Sequence, residues 1–381
     1  MTVSRLAPTS EAAELLELVR DIAQRELLPH ADEFEREERF PREIVRTVGR
    51  AGLLGLPFPE QYGGGEQPAE VYLQVIEELG SAWASVGLAV SVHALATLPV
   101  AVFGTDEQKE RLLPGMVGGE SLGGYCLSEA HAGSNPAAMR TTATRTETGY
   151  RISGAKAWTT HGGDADFYLV LARTAAGSKG ISCFHVPADS PGLSASPPER
   201  KLGLTGSHTA TMNFEDVEVP LENRIGEEGA GLAIAFTALD SGRLGVAALA
   251  TGVAQAALDL SVRYAKDRVA FDSPIIEHQG LAFLLAEMAA RVESARATYL
   301  TAARRRDAGL PYSTHASIAK LVATDNAMSV TTDAVQVLGG AGYVRDFPAE
   351  RYFREAKAMQ IFEGTNQIQK LVISRTLAKQ S

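Results

Sequence analysis

The apolar positions along this chain fall into three blocks that differ in period. From Thr9 to about Gly119 the period is helical: AAELLELVRDIAQRELLPHADEFE puts Leu15, Leu18, Val19 and Ile22 on one face, with charges elsewhere. Pro41, the Gly63–Gly65 run and the pair Thr105-Asp106 punctuate these helices, and Thr105 is the expected N-cap for EQKERLLPGMV. After Gly123 the pattern changes. YRISGAKAWTT, DFYLVLART, GISCFHVPA and TATMNFEDVEVP are short, rich in β-branched and aromatic residues, and separated by Gly, Asp or Pro turns, so they read as strands. From about Gly231 the helical period returns, with an Ala-rich segment through Ala256 and a long amphipathic one from His278 to Arg306, whose small residues permit close helix contacts. The fold expected is α+β and mainly helical: an N-terminal helical domain over 1–122, a small β-barrel or sandwich domain over 123–230, and a C-terminal helical bundle over 231–381. Without a repeat or a low-complexity linker, these domains should pack against each other.

Composition narrows the function. A chain of 381 residues, 45% hydrophobic, can bury a large core and exceeds what one core usually organises. The net charge of -10 argues against a broad phosphate-binding footprint, so nucleic acid is not an expected partner. Cys126 and Cys183 are too few for a disulfide framework, and no spacing suggests a metal cluster. A reducing, cytoplasmic setting is expected: the chain runs early into Glu11, Glu14, Glu17 and Asp21 rather than a basic start and an apolar run. The stretch Ser85–Gly104 is apolar enough to raise a membrane question. Its His93, Pro99 and many small residues make it a buried helix instead, and no membrane insertion is expected.

Several familiar signatures are missing or misleading. None of the histidines forms HExxH, and no glycine run completes GxGxxG after a strand. Gly119-Glu-Ser121-Leu-Gly123 spells the GxSxG of a serine hydrolase, but that elbow needs a strand before the Ser and a helix after it. Here a helix precedes and a strand follows.

The informative segments are YCLSEAHAGSN (Tyr125–Asn135), AWTTHGG (Ala157–Gly163), DSGR (Asp240–Arg243), DRVAF (Asp267–Phe271), QVLGGAGY (Gln336–Tyr343) and IFEGTNQIQ (Ile361–Gln369). In this order and spacing the chain resembles the acyl-CoA dehydrogenase family from end to end, including the division into helices, β domain and helices. The resemblance implies an FAD held without a Rossmann fold, for which the protein must supply ring donors, apolar cover and groups for the diphosphate. It puts Ser128 and Thr160 on the flavin edge, with Thr160 at N5 and Trp158 beside the ring. Tyr125, Leu127, Gly133, Ser134, Thr159, Thr365, Asn366 and Gln367 complete that part of the cofactor set. Arg268 with Phe271, His278, Gln279, Gln336, Val337, Gly339 and Gly340 would reach the FAD of a neighbouring subunit, the guanidinium suiting the diphosphate. The site would then be incomplete in a monomer, and a homotetramer is expected. Ser134, Asp240, Gly242, Arg243 and Gly364 match positions that contact substrate. Without the resemblance, most of these residues read as ordinary strand, turn and surface positions, and Asp240 with Arg243 as a surface ion pair at i, i+3.

Glu363 is the implied catalytic base. It stands where the apolar run Met359–Phe362 gives way to Gly364-Thr-Asn, and partial desolvation there would raise its pKa. Read alone, a Glu before Gly-Thr is a solvated loop residue. In the family, this residue's own backbone N–H and a ribityl hydroxyl of FAD polarise the thioester carbonyl. The carboxylate takes the α-proton while a hydride leaves the β-carbon for flavin N5, giving a trans-2-enoyl-CoA. Electrons then pass to electron-transfer flavoprotein. Some relatives carry the base at the residue before the Arg of the DSGR-like segment, which is Gly242 here, so Glu363 stands alone. The expected substrate is a short- or medium-chain acyl-CoA. Ala130, Asn135, His161, Thr205, Asp272 and Phe362 depart from the family's usual residues. An acyl-CoA oxidase using O2, a flavin monooxygenase, a serine hydrolase acting through Ser121 and a non-enzymatic member of the fold are the rival readings.

Overall fold

The computed structural model describes residues 5–379. Its first third is helical: α1 (Ser10–Ile22), α2 (Leu28–Arg36), α3 (Arg42–Arg50), α4 (Ala69–Ala82), α5 (Ala84–Phe103) and α6 (Asp106–Val117). Thr105 does cap α6, in a reciprocal capping box with Gln108 that satisfies two otherwise orphaned N–H groups. Of the face the pattern suggested on α1, Val19 is buried and Leu15 and Ile22 pack partly buried against the core, while Leu18 is 52% exposed. Ala12 and Leu16 complete the buried stripe. Ala23 and Leu27 continue it across a π-helical turn.

The middle third is a mixed sheet of β1 (Gly123–Cys126), β2 (Thr142–Arg145), β3 (Gly149–Thr160), β4 (Phe167–Arg173), β5 (Ile181–Pro187), β6 (Leu193–Ala195), β7 (Thr209–Pro220) and β8 (Arg224–Ile225). Strand order is β6-β7-β3-β2-β4-β5-β8, and β1 runs parallel to β4. One face packs Phe167, Leu169, Leu171 and Cys183 against α5, α6 and α7 (Gly231–Asp267); the other packs Tyr150, Ile152, Phe184 and Phe214 against itself. The four segments read as strands are β3, β4, β5 and β7. The shorter β1, β2, β6 and β8 complete the sheet.

After α7 come a small hairpin of β9 (Val269–Ala270) and β10 (Ser273–Pro274), then α8 (Gln279–Asp307), α9 (Ser313–Leu338), α10 (Gly340–Tyr343), α11 (Ala349–Met359) and α12 (Asn366–Leu377). The two helical domains share one core. Leu73, Ile76, Leu79 and Trp83 pack with Leu249, Val253, Tyr299 and Val330. Close approach at α4 and α7 depends on glycine, since a Cβ at Gly252 would lie 2.3 Å from the Glu77 carbonyl oxygen. The apolar stretch foreseen as a buried helix is α5. It and α7 are long and apolar enough to cross a membrane, and both are largely enclosed by the protein.

Candidate active site

Three elements converge on the end of α11. That helix closes at Met359, and the backbone turns back through Ile361 and Phe362, whose N–H groups donate to the Ala358 carbonyl. Glu363 and Gly364 then take left-handed conformations in succession, φ +53° and +88°. Glycine accepts this freely, whereas Glu363 carries strain of roughly 1 kcal/mol. Thr365 caps α12, its hydroxyl accepting from the Ile368 N–H, and Asn366 N–H donates to the Gln360 carbonyl.

This turn aims the Glu363 carboxylate inward. The residue keeps some surface, but Oε2 is fully buried and has no hydrogen-bond partner. Burial pushes the carboxyl up to about 7, against the opposing pull of Arg243 and Lys320. On the facing side lies Gly242 of α7, where a Cβ would come within 2.9 Å of Oε2 and 3.2 Å of Leu95 on α5. The space a side chain at 242 would need is where the carboxylate sits. Tyr125 of β1 closes another side: burial, followed by the charges of Cys183, Glu363 and Cys126, raises its phenol well above the ordinary value, and its hydroxyl also lacks a partner. Among the described residues the Glu363 backbone N–H has no hydrogen-bond acceptor, which suits it to meet an anionic oxygen.

The β domain places its contributors side by side. Ala157 N–H donates to the Ser128 carbonyl, Cys126 Sγ lies 3.6 Å from Thr159 Oγ1, and the buried Lys156 ammonium ties the Leu127 carbonyl to Glu129. Leu127 and Thr159 are thereby buried, while the half-exposed hydroxyls of Ser128 and Thr160 have no hydrogen-bond partner among the described residues. Trp158, at φ +61°, turns its indole outward and is 61% exposed beside them. Gly133 and Ser134 sit on the exposed loop that follows. His161, one of the departures, faces away from this surface. Its Nδ1–H donates to the Gly123 carbonyl while His93 Nδ1 accepts from the Gly123 N–H, so two buried imidazoles grip the start of β1. Burial holds both down at about 4 and hence neutral.

Other sequence assignments fare differently. Arg243 and Asp240 are not a surface pair. Arg243 is 7% exposed, with Nη1 donating to Asp240 at 2.6 Å and to Ser317 at 3.5 Å, because α9 covers it. Its Nε is buried without a hydrogen-bond partner, so Arg243 keeps a free donor as well as a positive charge near Glu363. Asn366 is turned inward, its amide held by Lys320, Thr324 and Asp325. The half-exposed Thr365 hydroxyl accepts the cap bond from the Ile368 N–H and keeps its own proton to donate, and Gln367 is exposed. Ser121 lies in the coil between α6 and β1, the reverse of a nucleophile elbow.

The second half of the cofactor set is elsewhere. Arg268, Phe271, His278, Gln279, Gln336, Val337, Gly339 and Gly340 gather at the far end of the bundle, around the β9–β10 hairpin and the end of α9. His278 packs edge-on to Phe271 and its Nε2–H donates to the Ala270 carbonyl. From Gly242 to Asp267, α7 runs about 37 Å at 1.5 Å per residue. The length of α7 therefore separates Arg268 and the hairpin from Glu363. Phe271 is 93% exposed and Tyr343 85%, apolar surface without cover in one chain. Sequence reasoning missed Lys320, Leu95 and Ser317, all of which border the site. Lys320 had a signal: it is the lone charge on the stripe Ala316, Ala319, Ala323 and Ala327 of α9. Among the described residues no group of His, Cys, Asp and Glu is placed to hold a metal ion.

Unpaired hydroxyls and an exposed indole on the β domain, together with a buried carboxylate oxygen that has no partner, suit an oxidoreductase that pairs a planar redox cofactor with a carbon-acid base. Family models agree along the chain: acyl-CoA dehydrogenase N-terminal domain over residues 9–120, middle domain over 124–217 and C-terminal domain over 229–378. An acyl-CoA dehydrogenase of Bacillus subtilis is 44% identical, covering 97% of this chain and 98% of its own. Among solved structures, a chain in the electron transferring flavoprotein structure from Acidaminococcus fermentans superposes with TM-score 0.97 at 40% identity, over 99% of this chain and 100% of that one. Butyryl-CoA dehydrogenase from Megasphaera elsdenii follows at 0.96 and 38%, with the same coverage. The chain belongs to the acyl-CoA dehydrogenase family, FAD-dependent oxidoreductases acting on the CH–CH group of acyl-CoA substrates.

Proposed function

We propose that this protein converts a short- or medium-chain saturated acyl-CoA to its trans-2-enoyl-CoA with Glu363 as the base. One observation carries the reading: the Glu363 carboxylate is enclosed, without a partner, and held at about 7, opposite a residue with no side chain. A carboxylate so placed is a stronger base than one in water and loses little solvation when it takes a proton. The free N–H of Glu363 is suited to accept charge developing on the thioester oxygen, which acidifies the α-carbon. Bound FAD supplies the acceptor for the β-hydride.

Ser128 and Thr160 would hold the ring edge, with Trp158 beside it and Tyr125, Leu127 and Thr159 behind; Gly133 and Ser134 would reach the phosphates. The group around Arg268 and Phe271 serves a second copy's cofactor, and the distance along α7 together with the uncovered Phe271 and Tyr343 support that reading and the homotetramer expected from it. The butyryl-CoA dehydrogenase likeness supports a short acyl chain, and the electron transferring flavoprotein structure supports such a flavoprotein as electron acceptor. Asp240 and Arg243 set the charge near the base, and Gly364 allows the turn.

The test is Glu363→Gln. This variant should stay yellow with FAD, while anaerobic bleaching of the flavin by butyryl-CoA slows by about 10³-fold or more, within the range for loss of a general base. Bleaching at the wild-type rate would remove Glu363 from the chemistry.

A further inference from the structure

We propose that Lys320 is a positioning residue of the dehydrogenation: its ammonium, enclosed behind the Glu363–Gly364 turn, locks that turn to α9 and so fixes where the carboxylate points. The proposal rests on the reading of Glu363 as the base.

The observations are geometric. Lys320 has no exposed surface and is surrounded on α9 by alanines and Thr324. An ammonium taken out of water is unfavourable unless its protons are satisfied, and an apolar side chain of similar volume would fill the place without that desolvation. Among the described residues, both of its hydrogen bonds go to the turn: Nζ donates to the Gly364 carbonyl at 2.9 Å and to Asn366 Oδ1 at 2.8 Å. These two acceptors bracket Thr365 directly after the strained Glu363. The Gln369 amide reaches the same turn from α12, donating to the Gly364 carbonyl at 2.8 Å and the Glu363 carbonyl at 3.3 Å. Asn366 is clamped in turn by Thr324 and by Asp325, which also receives Gln360. Two consecutive left-handed residues persist only where their surroundings over-determine them, and here Lys320 is the one charged donor in the clamp.

The charge has a second effect. The groups facing Lys320 are Glu363 from the turn, Asp325 from α9 and Arg243 from α7, the last neutralised in part by Asp240. Burial pulls the ammonium down to about 7, opposed by Glu363 and Asp325. Its positive charge in turn lowers the Glu363 carboxyl, so removing it should raise the pH at which the base becomes ionised.

The experiment compares FAD-loaded wild type with Lys320→Met, Lys320→Gln and Lys320→Arg, with Glu363→Gln as control, measuring flavin content, butyryl-CoA KM and the pH profile of anaerobic flavin bleaching. We expect Lys320→Met to keep FAD, lose about tenfold or more in bleaching rate and shift KM by less than about threefold, as for an interaction felt mainly in the transition state. Its acid limb should move up by about one pH unit or more, the sign expected for a carboxylate that loses a nearby cation. Lys320→Gln, which can still donate to both oxygens, should recover rate but keep the displaced limb, and Lys320→Arg should restore both in part. A wild-type rate and acid limb in Lys320→Met overturns the proposal. So does a loss that is equal at every pH and unrelieved in Lys320→Gln and Lys320→Arg, or failure of both neutral variants to fold with FAD, because each makes Lys320 a packing residue only. Failure of the base itself reads differently: Glu363→Gln would then bleach normally, whatever the lysine variants do.

Discussion

Two buried glutamates in this protein are treated in opposite ways. Glu77 of α4 sits in the core shared by both helical domains, where Arg296 Nη2 donates to it at 2.8 Å, Arg5 Nη1 lies 3.2 Å away, and the Tyr299 hydroxyl donates as well. Burial alone would push this carboxyl up, but the two guanidinium groups outweigh it and hold it below the ordinary range. Glu363 keeps some surface, yet its Oε2 is buried without a partner and its carboxyl is pushed up to about 7. A paired carboxylate joins elements and stays ionised; an unpaired one is kept ready to take a proton. Burial by itself distinguishes neither case, and the partner list does.

The largest effect expected from this contrast is on stability. Glu77→Ala removes the buried carboxylate that Arg5 and Arg296 share, leaving Arg5 with Glu78 and Arg296 with Glu293 and Gln255, and should cost about 3 kcal/mol or somewhat more, the low end of the range for breaking a buried pair from one side. The urea midpoint should fall steeply while the flavin spectrum of folded enzyme stays unchanged. An unaltered midpoint would mean that the guanidinium groups find water, and the contrast would lose one of its two poles.

Glu363→Gln should act in the other direction and more weakly. The folded-state carboxyl is raised above its unfolded value of 4.5, so between about 4.5 and 7 the folded protein binds more protons than the unfolded chain. Stability therefore falls as pH rises through that window, by about 3 kcal/mol at most. Replacing the acid with a neutral amide removes the penalty. The variant should be more stable than wild type by about 1–3 kcal/mol at pH 8, with the gain vanishing near pH 5. Paired urea titrations at those two pH values, with both proteins saturated in FAD, measure it. A variant less stable at pH 8 would show that Glu363 has found a partner in solution.

How far the sequence foretold this contrast depends on whether the signal was local. Strands β3, β4, β5 and β7 and the cap at Thr105 follow from residues within a few positions of each other. So does the placement of Glu363 at the end of an apolar run, and the family motifs then supplied its role. What stayed hidden needed partners far along the chain. Nothing near Glu77 announces Arg296, and the spacing of Asp240 and Arg243 does not tell a solvent-facing pair from one covered by α9. Periodicity marks a face as buried without saying against what: it put Val19, Leu15 and Ile22 of α1 inward and missed that Leu18 lies outside, but it could not name the single core that the two helical domains share. Lys320 combined both kinds of signal: its burial was readable from the surrounding alanines, but its acceptors lie more than forty residues away.

Gly242→Ala should give the smallest structural disturbance and still separate the two glutamates. Alanine favours a helix interior over glycine by roughly 1 kcal/mol, so α7 itself should gain, whereas a methyl at this position meets Glu363 Oε2 at 2.9 Å and the Leu95 side chain at 3.2 Å. The tighter contact is with a carboxylate on a strained turn, which can give by a few tenths of an ångström, so global stability should change by less than about 1 kcal/mol. The reaction has less tolerance, because a base displaced even slightly from its line of attack loses rate steeply. Bleaching by butyryl-CoA should slow by about tenfold or more with the urea midpoint nearly unmoved, a split that no change around Glu77 could produce. If rate and midpoint instead fall together, the carboxylate is braced by packing at α7 rather than merely given room there, and the turn at Glu363 is a structural joint as much as a chemical one.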